Sequence, residues 1–245
     1  MHDAVLRITL TLAASLMSSL SAQAQQARGV NPADIDSRFD LIVKHVALEP
    51  EGRSQSLILK YDYKLDARWG LNFELPVYSR LSQPGFARSG QGDLFARARW
   101  VVPEGHWTYG AAAEAVLPTA SDDVLGTGRY QLNASVMAVR VFSPSFLGAV
   151  AVKQTSSLGG DASRARFSNT DIRLVPVLIL PQGWAAVLEL RQTWEHRGAQ
   201  ARWQRAELML NKQLDPHWAG SLSLGRDFGD RRDDGALALA LKYFF

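Results

Sequence analysis

Residues 235–245 read GALALALKYFF, which sets Leu237, Leu239, Leu241, Tyr243 and Phe245 on one face of an extended chain and Ala238, Ala240, Lys242 and Phe244 on the other. Alternation of period two belongs to a strand, because successive side chains point to opposite sides of the pleat. A buried strand of a soluble domain is normally followed by a polar tail or a turn, whereas here the alternation runs to the final residue. The same pattern fills the chain before it. Leu57, Leu59, Tyr61 and Tyr63 alternate with Ser56, Lys60, Asp62 and Lys64. Trp69, Leu71, Phe73, Leu75 and Val77 alternate with Asn72 and Glu74; Leu94, Ala96, Ala98 and Trp100 alternate with Asp93, Arg97 and Arg99. The non-apolar face is repeatedly charged.

No stretch of a dozen residues carries convincing i, i+3, i+4, i+7 apolar spacing, so the chain is all-β. About twelve strands are predicted, near 37–47, 54–65, 68–79, 91–102, 106–117, 129–142, 145–155, 168–180, 183–194, 202–214, 216–227 and 235–245. Each matches or slightly exceeds the roughly 9–11 residues with which a tilted strand crosses a bilayer. Connections alternate in length. Short ones fall at 65–68, 102–106, 143–145, 180–183 and 214–217; longer ones at 79–90, 118–128, 156–169, 195–200 and 229–235. This is the asymmetry of periplasmic turns and extracellular loops in an antiparallel outer-membrane barrel. It puts both ends of the barrel on the short-turn side.

An aromatic residue follows each short turn: Trp69, Trp107, Phe146, Trp184 and Trp218. Amphipathic rings collect where hydrocarbon meets water, so these five are the expected interface girdle. Tyr78, Tyr130, Trp194 and Trp203 fall near the opposite rim. Residues 1–24, MHDAVLRITLTLAASLMSSLSAQA, carry Arg7, an apolar run too short to span a membrane, and a small-x-small site at Ala22-Gln23-Ala24. They form an expected cleaved signal peptide. A short periplasmic tail, 25–36, and the barrel, 37–245, complete the expected organisation. There is no cysteine, which excludes disulfides, thiol catalysis and thiolate metal sites. A net charge of +3 with 24 acidic residues argues against a nucleic-acid partner.

A soluble sandwich or lipocalin-like barrel alternates too, with the apolar face turned inward. The signal, the even strand count, the loop asymmetry and the placed aromatics favour the membrane barrel, whose apolar faces meet lipid. The inward set is then Lys60, Arg97, Arg99, Lys153, Arg173, Arg191, Arg205 and Lys242 with Asp62, Glu74, Asp93, Glu114, Asp171, Glu189 and Glu207. Neither sign dominates. The short turn at 65–68 sets Lys60 near Glu74 and Asp62 near Asn72, and opposite charges across a ladder are favourable. Such a lumen is either zipped shut by ion pairs or lines a narrow aqueous path. Twelve strands enclose more than the roughly eight-stranded interior that side chains just fill, which favours a path for a small-molecule solute.

Enzymatic chemistry finds little footing. An outer-membrane phospholipase pattern needs a His with a Ser two residues on, as base and nucleophile, and no His-x-Ser occurs. His196, with Asp230, Asp233 or Asp234, is the remaining pairing on the outer loops; a solvated loop histidine is the plainer reading. No GxGxxG, Walker or HExxH motif is present, and no cofactor or metal site is expected. Residues 121–123 (SDD) and 230–234 (DRRDD) are candidates for a divalent cation or lipopolysaccharide phosphates, although such runs on a rim are usually just solvated.

The final strand resembles the C-terminal recognition strand of outer-membrane barrels, whose last Phe, third-from-last aromatic and alternating apolar residues the barrel-assembly machinery reads. Here these are Phe245, Tyr243 and Leu241. The segments SGQGDLFARARW (89–100) and LPTASDDVLGTGRYQL (117–132) resemble the outer-membrane family of the MetA pathway of phenol degradation, through Gly90-Gln91-Gly92-Asp93, Pro118-Thr119 and Gly126-Thr127-Gly128. That resemblance implies a transporter-like channel admitting hydrophobic or aromatic compounds and supplies no catalytic residues. The residues themselves leave three readings: a passive channel, a non-conducting structural or adhesive barrel, and an outer-membrane hydrolase. The expected surroundings are outer-membrane lipid and lipopolysaccharide of a Gram-negative cell.

Overall fold

The computed structural model describes residues 27–48, 51–230 and 233–245, with Asp233 and Asp234 described by backbone alone. The expected signal peptide, 1–24, lies outside the described residues. Thirteen strands follow in chain order: β1 (Arg38–Leu48), β2 (Gly52–Lys64), β3 (Trp69–Gln83), β4 (Phe86–Gly90), β5 (Leu94–Glu104), β6 (Trp107–Leu117), β7 (Arg129–Ser143), β8 (Phe146–Gly160), β9 (Ser168–Ile179), β10 (Trp184–Glu195), β11 (Arg202–Gln213), β12 (Trp218–Gly229) and β13 (Asp233–Phe244). β4 and β5 share one place in the wall, since β3 pairs with β4 at its far end and with β5 at its near end. All neighbours are antiparallel, and β1 pairs with both β2 and β13. The result is a closed twelve-stranded barrel without an edge, the condition for a sheet to lie in hydrocarbon.

Polarity is inverted relative to a soluble barrel. On the outside, Val43 and Leu239 face each other across β1 and β13 at 54% and 53% exposure; on the inside, Asp40 and Asn72 are 2% and 1% exposed. Twelve residues at about 3.3 Å each, tilted some 40°, rise roughly 30 Å, the thickness of the apolar bilayer core.

Two of the short turns are built alike. In Leu65-Asp66-Ala67-Arg68-Trp69, the Asp66 carboxylate accepts the N–H groups of Arg68 (2.6 Å) and Trp69 (2.8 Å). In Leu214-Asp215-Pro216-His217-Trp218, Asp215 accepts those of His217 and Trp218, both at 2.8 Å. The carboxylate mimics a backbone turn and reverses the chain in four residues. Its Trp thereby begins the next strand at a fixed height. The two backbone donors hold the Asp66 carboxyl below the usual carboxylate range.

The outer side departs from expectation at 79–90. That segment is not an open loop: β3 continues to Gln83, turns at Pro84-Gly85 with Gly85 at φ +74°, and returns as β4. Proline fixes its own φ and glycine accepts a positive one, so the pair makes a hairpin tip the polar composition concealed. β8 likewise runs on to Gly160, which shortens the following connection to 161–167.

Candidate functional site

The inward face of the wall is a set of ion-pair chains. The register sets Lys60 opposite Glu74 and Asp62 opposite Asn72. Lys60 Nζ lies 3.5 Å from Glu74 and 3.8 Å from Asp62, and Arg38 bridges Asp62 (3.0 Å) and Asp40 (3.2 Å). Glu114, buried, accepts hydrogen bonds from Arg97 Nε (2.8 Å), Asn133 Nδ2 (3.1 Å) and Lys153 Nζ.

On β9, β10 and β11, Arg173, Arg191 and Arg205 stand directly opposite one another, an unfavourable row by itself. Carboxylates offset it. Asp171 and Glu189 pair with Arg173 at 3.0 and 3.9 Å, Glu189 accepts from Arg191 Nε at 2.9 Å, and Glu207 and Asp227 each accept from Arg205 at 2.9 Å.

Two residues of the expected inward set are engaged elsewhere. Asp93 stands in the break between β4 and β5, where its carboxylate accepts Ala120 N–H (3.1 Å), Thr127 N–H (2.7 Å) and the Thr127 hydroxyl (2.9 Å). Gln91 N–H donates to Ser121 Oγ and Ser121 N–H to Gln91 O. The Gly-x-Gly-Asp and Gly-Thr-Gly segments therefore clasp each other and tie the 118–128 loop to the break between β4 and β5. Gly92 lies where a Cβ would come within 3.0 Å of Pro76. Arg99 donates to the carbonyls of Pro32 (3.4 Å) and Asp34, with no carboxylate partner within 4.0 Å among the described residues.

Those carbonyls belong to residues 27–36, which run inside the barrel at its short-turn end. Ala27, Val30 and Ala33 are buried against Val139, Leu147, Ala149, Val177, Ala185 and Val187, all inward residues of β7 to β10. Arg28 lies 4.4 Å from the centre of the Phe244 ring, its backbone N–H donates to Gln213 Oε1 (3.0 Å), and its guanidinium pairs with Asp36 (3.2 Å). Burial, with Asp36 alongside, pushes the Asp34 carboxyl up to about 6, against the opposing pull of Arg99, Arg38 and the Asn31 amide. Sequence reasoning missed this seat. Its signal is faint: three small or branched apolar residues every third position within a polar segment.

Above the tail are two adjoining cavities, about 290 and 320 Å³, that share Gly29, Arg38 and Lys60 in their walls. The first joins charged residues to an apolar wall that includes Met137, Ala149 and Val175. The second lies along β11, β12, β13, β1 and β2. Asp40, Lys44 and Arg38 belong to these walls, and the run Leu41-Ile42-Val43 hid their period in the sequence.

The five residues after the short turns stand on the outside at that end; Trp69, Trp107, Trp184 and Trp218 are exposed, and the Lys212 ammonium and Arg140 guanidinium lie 5.2 Å from the ring centres of Trp184 and Trp107. Leu241 and Phe245 are exposed, Tyr243 packs edge-on to Phe245, and Phe244 points inward, fully buried. On the outer side, His196 Nε2 meets Thr170 Oγ1 at 2.7 Å, while Asp230 accepts Arg202 N–H. Thr170 is held by Gln154 in turn, so no carboxylate–histidine pair forms there among the described side chains.

No protein-family model and no curated protein matches the sequence. Solved structures do. The COG4313 outer membrane channel from Pseudomonas putida F1 is similar with a TM-score of 0.72 at 18% identity, over 89% of this chain and 98% of that one. The NanC porin gives 0.64 at 7% identity, over 84% and 98%; the KdgM porin gives 0.58 at 9%, over 84% and 99%. At these identities the likeness is one of fold. The short motifs shared with the phenol-degradation barrels remain a resemblance. The closed wall and its inverted polarity make this chain a membrane-spanning β-barrel that shares its fold with outer-membrane channels and porins.

Proposed function

We propose that the protein is a passive channel for small solutes, hydrophobic or aromatic compounds among them. The observation that carries the reading is the pair of adjoining interior cavities, which ion pairs and packing leave unfilled. Similarity of fold to channels and porins supports it, and the apolar wall of Met137, Ala149 and Val175 supports solutes with an apolar body. The inward set, Asp93 apart, serves as the lining of the path, with Arg97, Arg173 and Glu189 at the first cavity and Arg205 and Glu207 at the second. The docked tail narrows the periplasmic mouth.

The girdle residues act at the lipid boundary, where cations lying on Trp107 and Trp184 meet headgroup phosphates. Leu241, Tyr243 and Phe245 act as the assembly signal, and lipopolysaccharide surrounds the outer rim. Reconstitution in planar bilayers tests the function. Stepwise currents are expected; a folded protein that inserts without current would make the barrel a structural or adhesive element.

A further inference from the structure

The second cavity has a charge imbalance that the wall does not resolve. Five cations line it, Arg38, Lys44, Lys60, Arg205 and Lys242, against two carboxylates, Asp40 and Glu207. Arg38, Lys60 and Arg205 are already paired with carboxylates. Lys242 is not: its ammonium, 5% exposed, donates to the neutral Asn211 Oδ1 at 2.9 Å, and neither it nor Lys44 has a carboxylate within 4.0 Å among the described residues. Asn211, fully buried, leaves its own Nδ2 without an acceptor. Ser221 and Ser223 add hydroxyls to the same lining. An ammonium has three donors, and a buried one is costly unless they are met. The lining therefore carries more cations than carboxylates, even with Asp40 Oδ1 standing there as a buried acceptor without a hydrogen-bond donor.

The rest of the lining is apolar. Ile42, Ile58 and Met209 face the space, and Ala236, Ala238 and Ala240 keep one side shallow. At about 320 Å³ the cavity lies at the lower end of the roughly 300–1,000 Å³ of small-molecule sites, which suits a single small solute and not a polymer chain. We propose that this cavity is a binding station for a small amphipathic carboxylate, its anionic head between Lys242 and Lys44 and its apolar body against Ile42, Ile58 and Met209. A neutral sugar leaves the cations unmatched, and an inorganic anion leaves the apolar wall unused. The proposal deepens the channel reading by naming a solute class and rests on it for the route by which the solute arrives.

Calorimetric titration of the full-length barrel, folded in detergent, tests binding independently of conduction. The probes are benzoate, its neutral analogue benzyl alcohol, and acetate, which lacks the apolar body. Benzoate is expected to bind at least about tenfold more tightly than either. Lys44→Gln and Lys242→Gln are each expected to weaken benzoate about tenfold and leave benzyl alcohol unchanged. Lys242 is buried in the closing strand, so Lys44→Gln, on the more open part of the wall, carries the test if the other variant fails to fold.

Equal affinity for benzoate and benzyl alcohol, or benzoate affinity unchanged in folded Lys44→Gln, would overturn the proposal. Acetate binding as tightly as benzoate reduces the site to a simple anion site and overturns it equally. Benzoate binding without bilayer current supports the station and sinks the channel reading alone; current without benzoate binding does the reverse.

Discussion

Two parts of the inner wall solve the same problem in opposite ways. Toward the short turns, β7 to β10 turn Val139, Leu147, Ala149, Val177 and Val187 inward, and the N-terminal tail covers them with Ala27, Val30 and Ala33. Along β12, β13, β1 and β2 the inward face carries Ser223, Lys242, Asp40 and Lys60 and encloses open space. An apolar inner surface needs a protein cover, because water against it is unfavourable. A charged one can keep its water, provided its charges find partners. The barrel thus seals one side with chain and leaves open space along the other.

The strongest way to break this contrast is to remove the cover. Deleting residues 27–35 exposes the apolar patch and opens the short-turn mouth, and single-channel conductance is expected to rise several-fold with the barrel still closed. Unchanged conductance would mean that the tail does not bound the path. Val30→Asp together with Ala33→Asp gives the same result in the full-length chain.

On the charged side, Glu114→Gln leaves Arg97 and Lys153 without their shared carboxylate. A buried pair broken from one side costs about 3–5 kcal/mol, which urea unfolding monitored by heat-modifiable gel mobility will register. A loss under about 1 kcal/mol would show that water substitutes for the carboxylate. Reversing two charges, Arg97→Glu with Arg99→Glu, adds carboxylates to the first cavity and shifts ion selectivity toward cations. Reversal potentials in a salt gradient measure it, and an unchanged ratio would remove both from the path.

The smallest effect is a pH dependence of tail docking. A half-buried Asp34 carboxyl with a value of about 6, against 3.8 in solvent, binds its proton better when the tail is seated. Docking therefore is strongest below about pH 4, weakens as pH rises between about 4 and 6, and changes no further above that range. Conductance should rise modestly across the same window, and Asp34→Asn should abolish the change. A residual pH dependence in that variant would assign the effect to other groups.

Much of the barrel was legible in the chain. Period-two alternation, strand lengths and short turns follow from local geometry, so β2, β5, β9 and β13 fall within a few residues of their expected bounds. Leu-Asp-x-x-Trp marked two turns because one carboxylate makes each of them. The β3–β4 hairpin escaped notice since polar composition looks alike in a loop and in a strand above the membrane.

By itself the sequence determined which side chains alternate and where the wall turns, and through its loop asymmetry and placed aromatics it favoured charge facing inward and apolar side chains facing lipid. Only the tertiary structure decided which charges meet, that Asp93 serves a loop, that Lys242 finds a neutral partner, and that the tail enters the barrel. The physical reason is distance along the chain. Alternation and turns are settled by neighbours, whereas Lys242 meets Asn211 across the meander of β11, β12 and β13, and Arg28 meets Gln213 only after the closure of β1 on β13 brings them together.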